Sequence, residues 1–541
     1  MKIVAAVSAL GAAAGGLLAQ PPPAVDAALR QIGPEAIRDD MRVLADDRLE
    51  GRRPGTSGYD LAARYVADRF ESIGLKPLFD GRYFQQVPLR RAEAIEGDTT
   101  LTFSRASKRA QLVFARDFVT SGDVHRETFS VTAPVVFAGF AVAAAELGYD
   151  DYAGVDVRGK VVAFLPGQPS RLAPTPREYF ATLDVRVEAA IERGAVGMLF
   201  LAPDDSFPWE TSIALARHGT TSWMRAADEP SRPSRPMAFG VLSVAAAREL
   251  FRLGSRDFAG TASRLNAGER QSFDLPVTVS FAGRSRHVPL DSPNVGAVLP
   301  GSDPRLRQEY VVYTAHLDHL GRGKPMDGDD IYNGAIDNAS GVAALLSIAR
   351  AFAAGPEPPR RSILFLSTTA EESGGVGSDY FMTHPPVAAA DIVAAINIDA
   401  PTLMRYPPYS VSALGAGDST LRVVAEQAAR QLGLRVKPAP MAFRSDSLLF
   451  ILHGVPALRL IDGVETDRAG VDREKLMRDW IARVYHTPRD DTNQPLDFDA
   501  LVTHAQMNFL IGYQVAQEPG RPRWNPGDFL GRRFGRGRDQ R

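Results

Sequence analysis

The stretch "VVYTAHLDHLG", Val311 to Gly321, stays apolar for most of a strand's length and then presents His316, Asp318 and His319 within four residues. Taken alone it reads as a polar cluster closing a buried strand sooner than as the first ligand of a metal site. The rest of the chain supplies the context. From Pro289 onward "EYVVYTAH", "RSILFLSTT", "DIVAAINID" and "VPALRLI" read as strands, with "ASGVAALLSIARAFA", "VGSDYFMTH", "STLRVVAEQAARQLG" and "FDALVTHAQMNFLIGYQVAQ" as the helices between and after them. The strands are continuous apolar runs, the pattern of a mostly parallel sheet with helices on both faces, so the expected fold is α/β and doubly wound. In such sheets the carboxyl ends of the strands open on a shared crevice.

Ionisable residues gather at those ends. After His316 and Asp318 come Asp337 in "NGAIDNASG", Glu371 and Glu372 in "TTAEESGG", Asp399 in "INIDAP" and His486 in "VYHTPRDD". Imidazole with carboxylate and no thiolate suits zinc, with manganese or cobalt as substitutes, whereas calcium or magnesium would not call for two histidines. Two ions fit the set better than one. His316 and Asp399 can serve the first, His486 and Glu372 the second, and Asp337 can bridge them with one oxygen each. The expected metal ligands are therefore His316, Asp337, Glu372, Asp399 and His486. Alternation along a strand turns Asp318 the same way as His316, where its carboxylate could accept the imidazole N–H. Glu371 and Glu372 are adjacent and project differently, which leaves Glu371 as general base. By the same alternation His319 falls on the face opposite His316, and it joins His384, His453 and His504 as a histidine without a chemical role.

Outside this region the sequence is less specific. A chain of 541 residues, 45% hydrophobic and 23% charged with a formal net charge of -2, is ordinary globular material and carries no global field that would recruit nucleic acid. Residues 1–19, "MKIVAAVSALGAAAGGLLA", read as a signal peptide, which implies a periplasmic or secreted protein. No other segment reads as membrane-spanning. Cysteine is absent, so disulfides play no part. Residues 20–120 open the main domain with two helices separated by a Gly/Pro-rich turn, the second stopping near Gly74. Residues 121–288 change texture to short alternating runs, "APVVFAGFAV" and "GKVVAFLPG", and read as an inserted, β-rich α+β domain. Its His125, His218 and His287 adjoin no acidic cluster and read as surface or loop residues. Residues 289–520 form the main part of the domain, and 521–541 end in "GRRFGRGRDQR", a basic tail expected to fray in solvent.

The order "HLDH", "GAIDNASG", "AEESGGVGS", "NID" and "YHTPRDD" resembles the co-catalytic dizinc aminopeptidases and their glutamate-carboxypeptidase relatives, metallopeptidase family M28. "LADDRLEGRRPGTSGYDLAARYVADRFESIGLKP" resembles that family's leading helices, and "GYDDYAGVDVRGKVVAFLPG" with "AAIERGAVGMLFL" its inserted protease-associated domain. The resemblance implies the same five zinc ligands, Glu371 as base, peptide substrates and two zinc ions. It implies hydrolysis of N-terminal residues from peptides. Two alternatives stay open: carboxypeptidase or dipeptidase action, for which Arg444 is a candidate grip on a substrate carboxylate, and a catalytically silent binding protein. "NIDAPT" departs from the family in lacking the methionine that often follows the metal aspartate, and "LMRYPPYSV" maps onto no substrate pocket.

Overall fold

The computed structural model describes residues 23–224, 237–401, 410–442, 445–466 and 468–536. The leader at 1–19, Arg444 and most of "LMRYPPYSV" lie outside the described residues.

The main sheet runs, in chain order, through β1 (Phe84–Ala94), β2 (Ser272–Leu299), β3 (Tyr310–His316), β4 (Ser362–Thr368), β5 (Ile392–Asn397), β6 (Ser410–Leu414), β7 (Arg435–Ala439) and β8 (Ala457–Asp462). Across the sheet the order is β1-β2-β4-β3-β5-β8-β6-β7. The four central strands β4, β3, β5 and β8 are parallel, while β1, β2 and β4 pair antiparallel at one side and β6 pairs antiparallel with β8 at the other. The sheet is thus mixed around a parallel centre.

Alternation explains why the central strands carry apolar residues on both faces. Val311, Tyr313 and Ala315 of β3 enter one core and Val312 the other. The first core is covered by α1 (Pro34–Leu44), α2 (Ser57–Ile73), α3 (Ser340–Ala354) and α4 (Phe498–Gln517). Phe381 and Met382 of the helix Val376–Thr383, with Phe450 and Ile451 of the helix Ser447–Leu452, pack on the second. α2 starts at Thr56, whose side chain accepts from the Tyr59 N–H, and stops at Gly74, which takes the left-handed conformation at φ 86°. On α4, Gly512 lets the helix sit directly on Tyr313, whose hydroxyl donates to the Asn508 carbonyl at 2.8 Å; a Cβ on Gly512 would stand 1.8 Å from that hydroxyl oxygen.

A second sheet is built by the insertion, and it begins earlier than residue 121. Strands Thr100–Arg105 and Lys108–Leu112 already belong to it, together with Thr128–Ala138, Val161–Phe164, Gly197–Leu201 and Ala238–Leu242. The short strand Phe118–Val119 joins it beside Ala238–Leu242, and β2 itself is a further member. Residues 272–284 of that 28-residue strand pair in the insertion's sheet, and residues 285–299 pair with β1 and β4 in the main one.

The C-terminal segment does not fray over its described length. Trp524, Phe529 and Leu530 are buried, and Arg533 lies over the rings of Tyr179 and Phe180 while pairing with Glu146. The arginines there serve as planar packing surfaces as well as charges, which a reading by charge alone overlooks. Among the described residues no helix is long and apolar enough to cross a membrane.

Candidate metal centre

The carboxyl ends of the parallel strands converge as expected. His316 is the last residue of β3, Glu371 and Glu372 follow β4 in a short 3-10 turn, Asp399 follows β5, Asp337 stands just before α3, and His486 follows the helix Arg473–Arg483. Two groups form, His316–Asp337–Asp399 and His319–Asp337–Glu372–His486, with Asp337 common to both. His316 Nε2 lies 3.1 Å from Asp337 Oδ1 and 3.6 Å from Asp399 Oδ1. His486 Nε2 lies 3.2 Å from Asp337 Oδ2 and 3.1 Å from Glu372 Oε2.

These spacings fit two ions. Ligands about 2.0–2.1 Å from a tetrahedral zinc stand about 3.3 Å from one another. His486 Nε2 and the two carboxylate oxygens within 3.2 Å of it converge on a shared centre. His316 Nδ1 approaches the Asp318 carbonyl oxygen at 3.1 Å. A carbonyl only accepts, so Nδ1 carries the proton and Nε2 is left free to ligate.

The surroundings hold the candidate ligands in place. Asp399 Oδ2 pairs with Arg459 Nη1 at 2.9 Å, and Arg459 Nε donates to the Asp399 carbonyl at 3.0 Å, which leaves Oδ1 for the site. The Asp490 carboxylate accepts from the N–H groups of Ile336 and Asp337 at 2.8 and 3.0 Å. Asn338 ties two ligand loops together: its Nδ2 donates to the Ile398 carbonyl at 2.9 Å, and its Oδ1 accepts from Gly341 N and Ala400 N, both at 3.1 Å. Arg52, buried beneath the site, donates to the carbonyls of Leu317 at 2.8 Å, Asn333 at 2.6 Å and Gly334 at 3.0 Å, joining the end of β3 to the loop that carries Asp337. Burial draws Arg52 down to about 10, against the attraction of Asp490, Asp318, Asp337 and Glu372.

Two expectations need correction. The Asp318 carboxylate does not take the His316 N–H, since its Oδ1 is 3.8 Å from Nδ1; it accepts instead from the backbone N–H groups of Glu371 at 3.0 Å and Glu372 at 3.3 Å. Asp318 therefore holds the turn that presents both glutamates. His319 is not turned away from the site: its Nδ1 is 2.7 Å from Glu372 Oε1 and its ring meets that of His486 edge-on at 5.5 Å. β3 ends at His316, so the alternation that assigned His319 to the far face no longer applies three residues later. Arg52, Arg459, Asn338 and Asp490 also escaped the sequence reading, because their roles depend on loops brought together only by the fold.

Electrostatics sorts the two glutamates. Burial, with the nearby Asp399, Asp446 and Glu372 and against the pull of His316, holds Glu371 well above the usual carboxylate range. Glu372 is also buried, but His486 and His319 draw it down to about 2. Burial works against a charged His486, yet Glu372 and Asp337 push it up to about 10. Of the insertion's histidines, His218 is partly buried, its carbonyl accepting from Arg53 Nη2 at 3.1 Å; burial, with Arg53 and Arg91, pushes its imidazole down to about 4. Beside the glutamate turn a cavity of about 390 Å³ opens between the two lobes, bordered by Ser373 and Gly374 and walled by Val185, Trp223, Phe239 and Leu449.

Residues 294–511, which hold all of these candidate ligands, match the model of peptidase family M28. Through this segment the chain is similar to family M28. The chain is 30% identical over 132 residues to a probable zinc metalloprotease of Pyrenophora teres f. teres, a match covering 24% of this chain and 27% of that protein. A probable zinc metalloprotease of Pyrenophora tritici-repentis is 32% identical over 132 residues, with 24% and 29% covered. The match thus spans little more than a quarter of either relative. In fold, the chain is similar to an aminopeptidase from Aneurinibacillus sp. strain AM-1, with a TM-score of 0.53 at 18% identity, covering 93% of this chain and 99% of that one.

Proposed function

We propose that this protein is a zinc-dependent exopeptidase of the M28 type with two ions, hydrolysing N-terminal residues of peptides, with Glu371 as general base. The observation that carries the reading is Asp337, which turns one oxygen to His316 at 3.1 Å and the other to His486 at 3.2 Å. One carboxylate shared in this way suits two ions side by side. His316 and Asp399 would hold the first, Glu372 and His486 the second, with Asp337 between them.

When bound, zinc would supply a Lewis acid that polarises the scissile carbonyl and acidifies the attacking water. The chain's own residues supply the rest. Glu371, held by Asp318 through its backbone N–H, takes the proton from the attacking water and returns it to the leaving amine. Its raised proton affinity suits both halves of that transfer. Asp399, with one oxygen held by Arg459, and Asp337, with its backbone held by Asp490, keep their ligand oxygens in position without reorganisation. The inserted segment, which we read as a protease-associated domain, walls the cavity beside the glutamates, where part of a peptide could lie. Export through the leader at 1–19 belongs to the same reading.

Metal analysis of the purified chain, with hydrolysis of free and N-blocked aminoacyl substrates, tests it. Two zinc ions per chain and chelator-sensitive release of unblocked residues are expected. Cleavage confined to N-blocked substrates would replace aminopeptidase by carboxypeptidase or amidohydrolase action. A chain that takes up no zinc and turns nothing over would end the enzyme reading. Glu371→Gln should keep both zincs while losing about 10²–10⁴ in kcat.

A further inference from the structure

We propose that His319 is a positioning residue that holds Glu372 Oε1, so that Glu372 offers the second metal Oε2 alone. The inference rests on the two-metal reading above and adds a residue to it. Two roles are open to an imidazole within this group, ligand or hydrogen-bond donor, and distance separates them. Donor atoms around one tetrahedral ion stand about 3.3 Å apart, as the 3.1 and 3.2 Å spacings around His486 Nε2 do. His319 Nδ1 and Glu372 Oε1 are 2.7 Å apart, too close for two ligands of one ion and right for a charge-assisted hydrogen bond. An ionised carboxylate only accepts, so Nδ1 carries the proton. A fourth protein ligand would also close the second site, leaving no position for water or substrate.

The packing serves this role. His319 is 1% exposed, and its ring lies against Gly334, where a Cβ would stand 2.6 Å from Cγ and Cδ2. Gly334 is at φ 60°, so glycine both permits the turn before Asp337 and makes room for the ring. Among the described residues its Nε2 has no hydrogen-bond partner, and the side chain's hydrogen bond is with Glu372. The first site has a counterpart. Arg459 holds Asp399 Oδ2 at 2.9 Å and leaves Oδ1 for the ligand position. Each terminal carboxylate ligand is thus gripped by its outer oxygen, one by a guanidinium and one by an imidazole.

The test uses full-length protein stripped of metal and titrated with zinc by calorimetry, then with cobalt(II) followed by its visible absorption. His319→Ala should bind the first zinc as wild type does and the second about 10–100-fold more weakly. His319→Asn, whose amide N–H falls near the Nδ1 position, should restore the second affinity to within a few-fold. His319→Gln, which places its amide at the Nε2 position, should not. The cobalt spectrum of His319→Asn should match that of wild type, since the ligand set is unchanged. Equal second-site affinity in wild type and His319→Ala would overturn the proposal while leaving the two-metal reading intact. A changed cobalt spectrum in His319→Asn would overturn it in favour of direct ligation. A wild-type protein that binds no zinc would remove the metal reading itself. If His319→Ala does not fold, the Asn and Gln pair decides.

Discussion

Arg459 grips Asp399 twice, through a 2.9 Å ion pair to Oδ2 and a 3.0 Å hydrogen bond from Nε to the backbone carbonyl. The residue sits on β8, beside β5, and so fixes from a neighbouring strand the loop that follows β5. Arg459→Met should lower zinc affinity at the first site about 10–100-fold, with the second much less affected. Arg459→Lys keeps the charge without the planar fork and should fall between. Zinc titration of the stripped proteins reads both.

Asp318 accepts two backbone N–H groups from the glutamate turn. Asp318→Ala should reduce kcat by misplacing Glu371, while His316 keeps its hydrogen bond to the backbone carbonyl of residue 318. The expected pattern is a loss in kcat of about 10–100-fold with KM little changed. Loss of the first zinc instead would mean that the carboxylate orients His316 after all.

Gly341 begins α3 against Asn338, and a Cβ there would stand 2.0 Å from Asn338 Oδ1 and 2.6 Å from the Ile398 carbonyl oxygen. Gly341→Ala should therefore separate the Asp337 and Asp399 loops, at a cost of about 1–3 kcal/mol or more. Denaturant unfolding should show the loss, and zinc uptake should weaken at both sites because the clash lies between them.

Chelation should destabilise the protein as well as silence it. Asp337, Glu371, Glu372 and Asp399 converge in a largely buried site, and Arg52 and Arg459 are the nearby guanidinium charges described above. Without divalent ions the carboxylates repel one another or take up protons. Thermal unfolding with and without chelator should show a lower Tm in the stripped protein, recovered on adding zinc.

His504 offers a separate pH dependence. Burial, with help from Arg459, holds its imidazole at about 3 against an ordinary value of 6.5. The native state therefore keeps His504 neutral while the unfolded chain protonates it. The stability contribution is complete above pH 6.5 and is lost progressively as pH falls from 6.5 towards 3. The slope from this group approaches about 1.4 kcal/mol per pH unit. His504→Gln should flatten the stability profile between pH 6 and 4 in denaturant titrations, values bracketed by that window.

The parallel centre of the sheet and the candidate ligands were legible because both leave one-dimensional traces. Val311, Val312, Tyr313 and Ala315 enter cores on both faces, and His316, Glu371, Glu372 and Asp399 each end or closely follow a strand. The supporting residues leave no such trace. Arg52 works through carbonyls of residues 317, 333 and 334, and Arg459 through a loop 60 positions away, so neither role has a local pattern. His319 was misassigned for a different reason. Strand alternation was carried past the end of the strand, into a segment whose direction is set by the turn. The strands β6 and β7 near the sheet edge also escaped, since short runs such as "SVSAL" and "RVKPA" carry little periodic signal.

β2 passes from the insertion's sheet into the main one without leaving the extended conformation. A boundary at residue 288 would cut it in the middle of its ladder with β1, between Val288 paired to Arg91 and Pro289 paired to Arg90. The two lobes thus share a girder in place of a tether. An excised insertion would carry a severed strand and expose unpaired edges on both fragments, the condition under which β proteins aggregate. Calorimetric melting of the whole chain should accordingly give one cooperative transition for both lobes, and in engineering terms the insertion cannot be swapped as a cassette at that point.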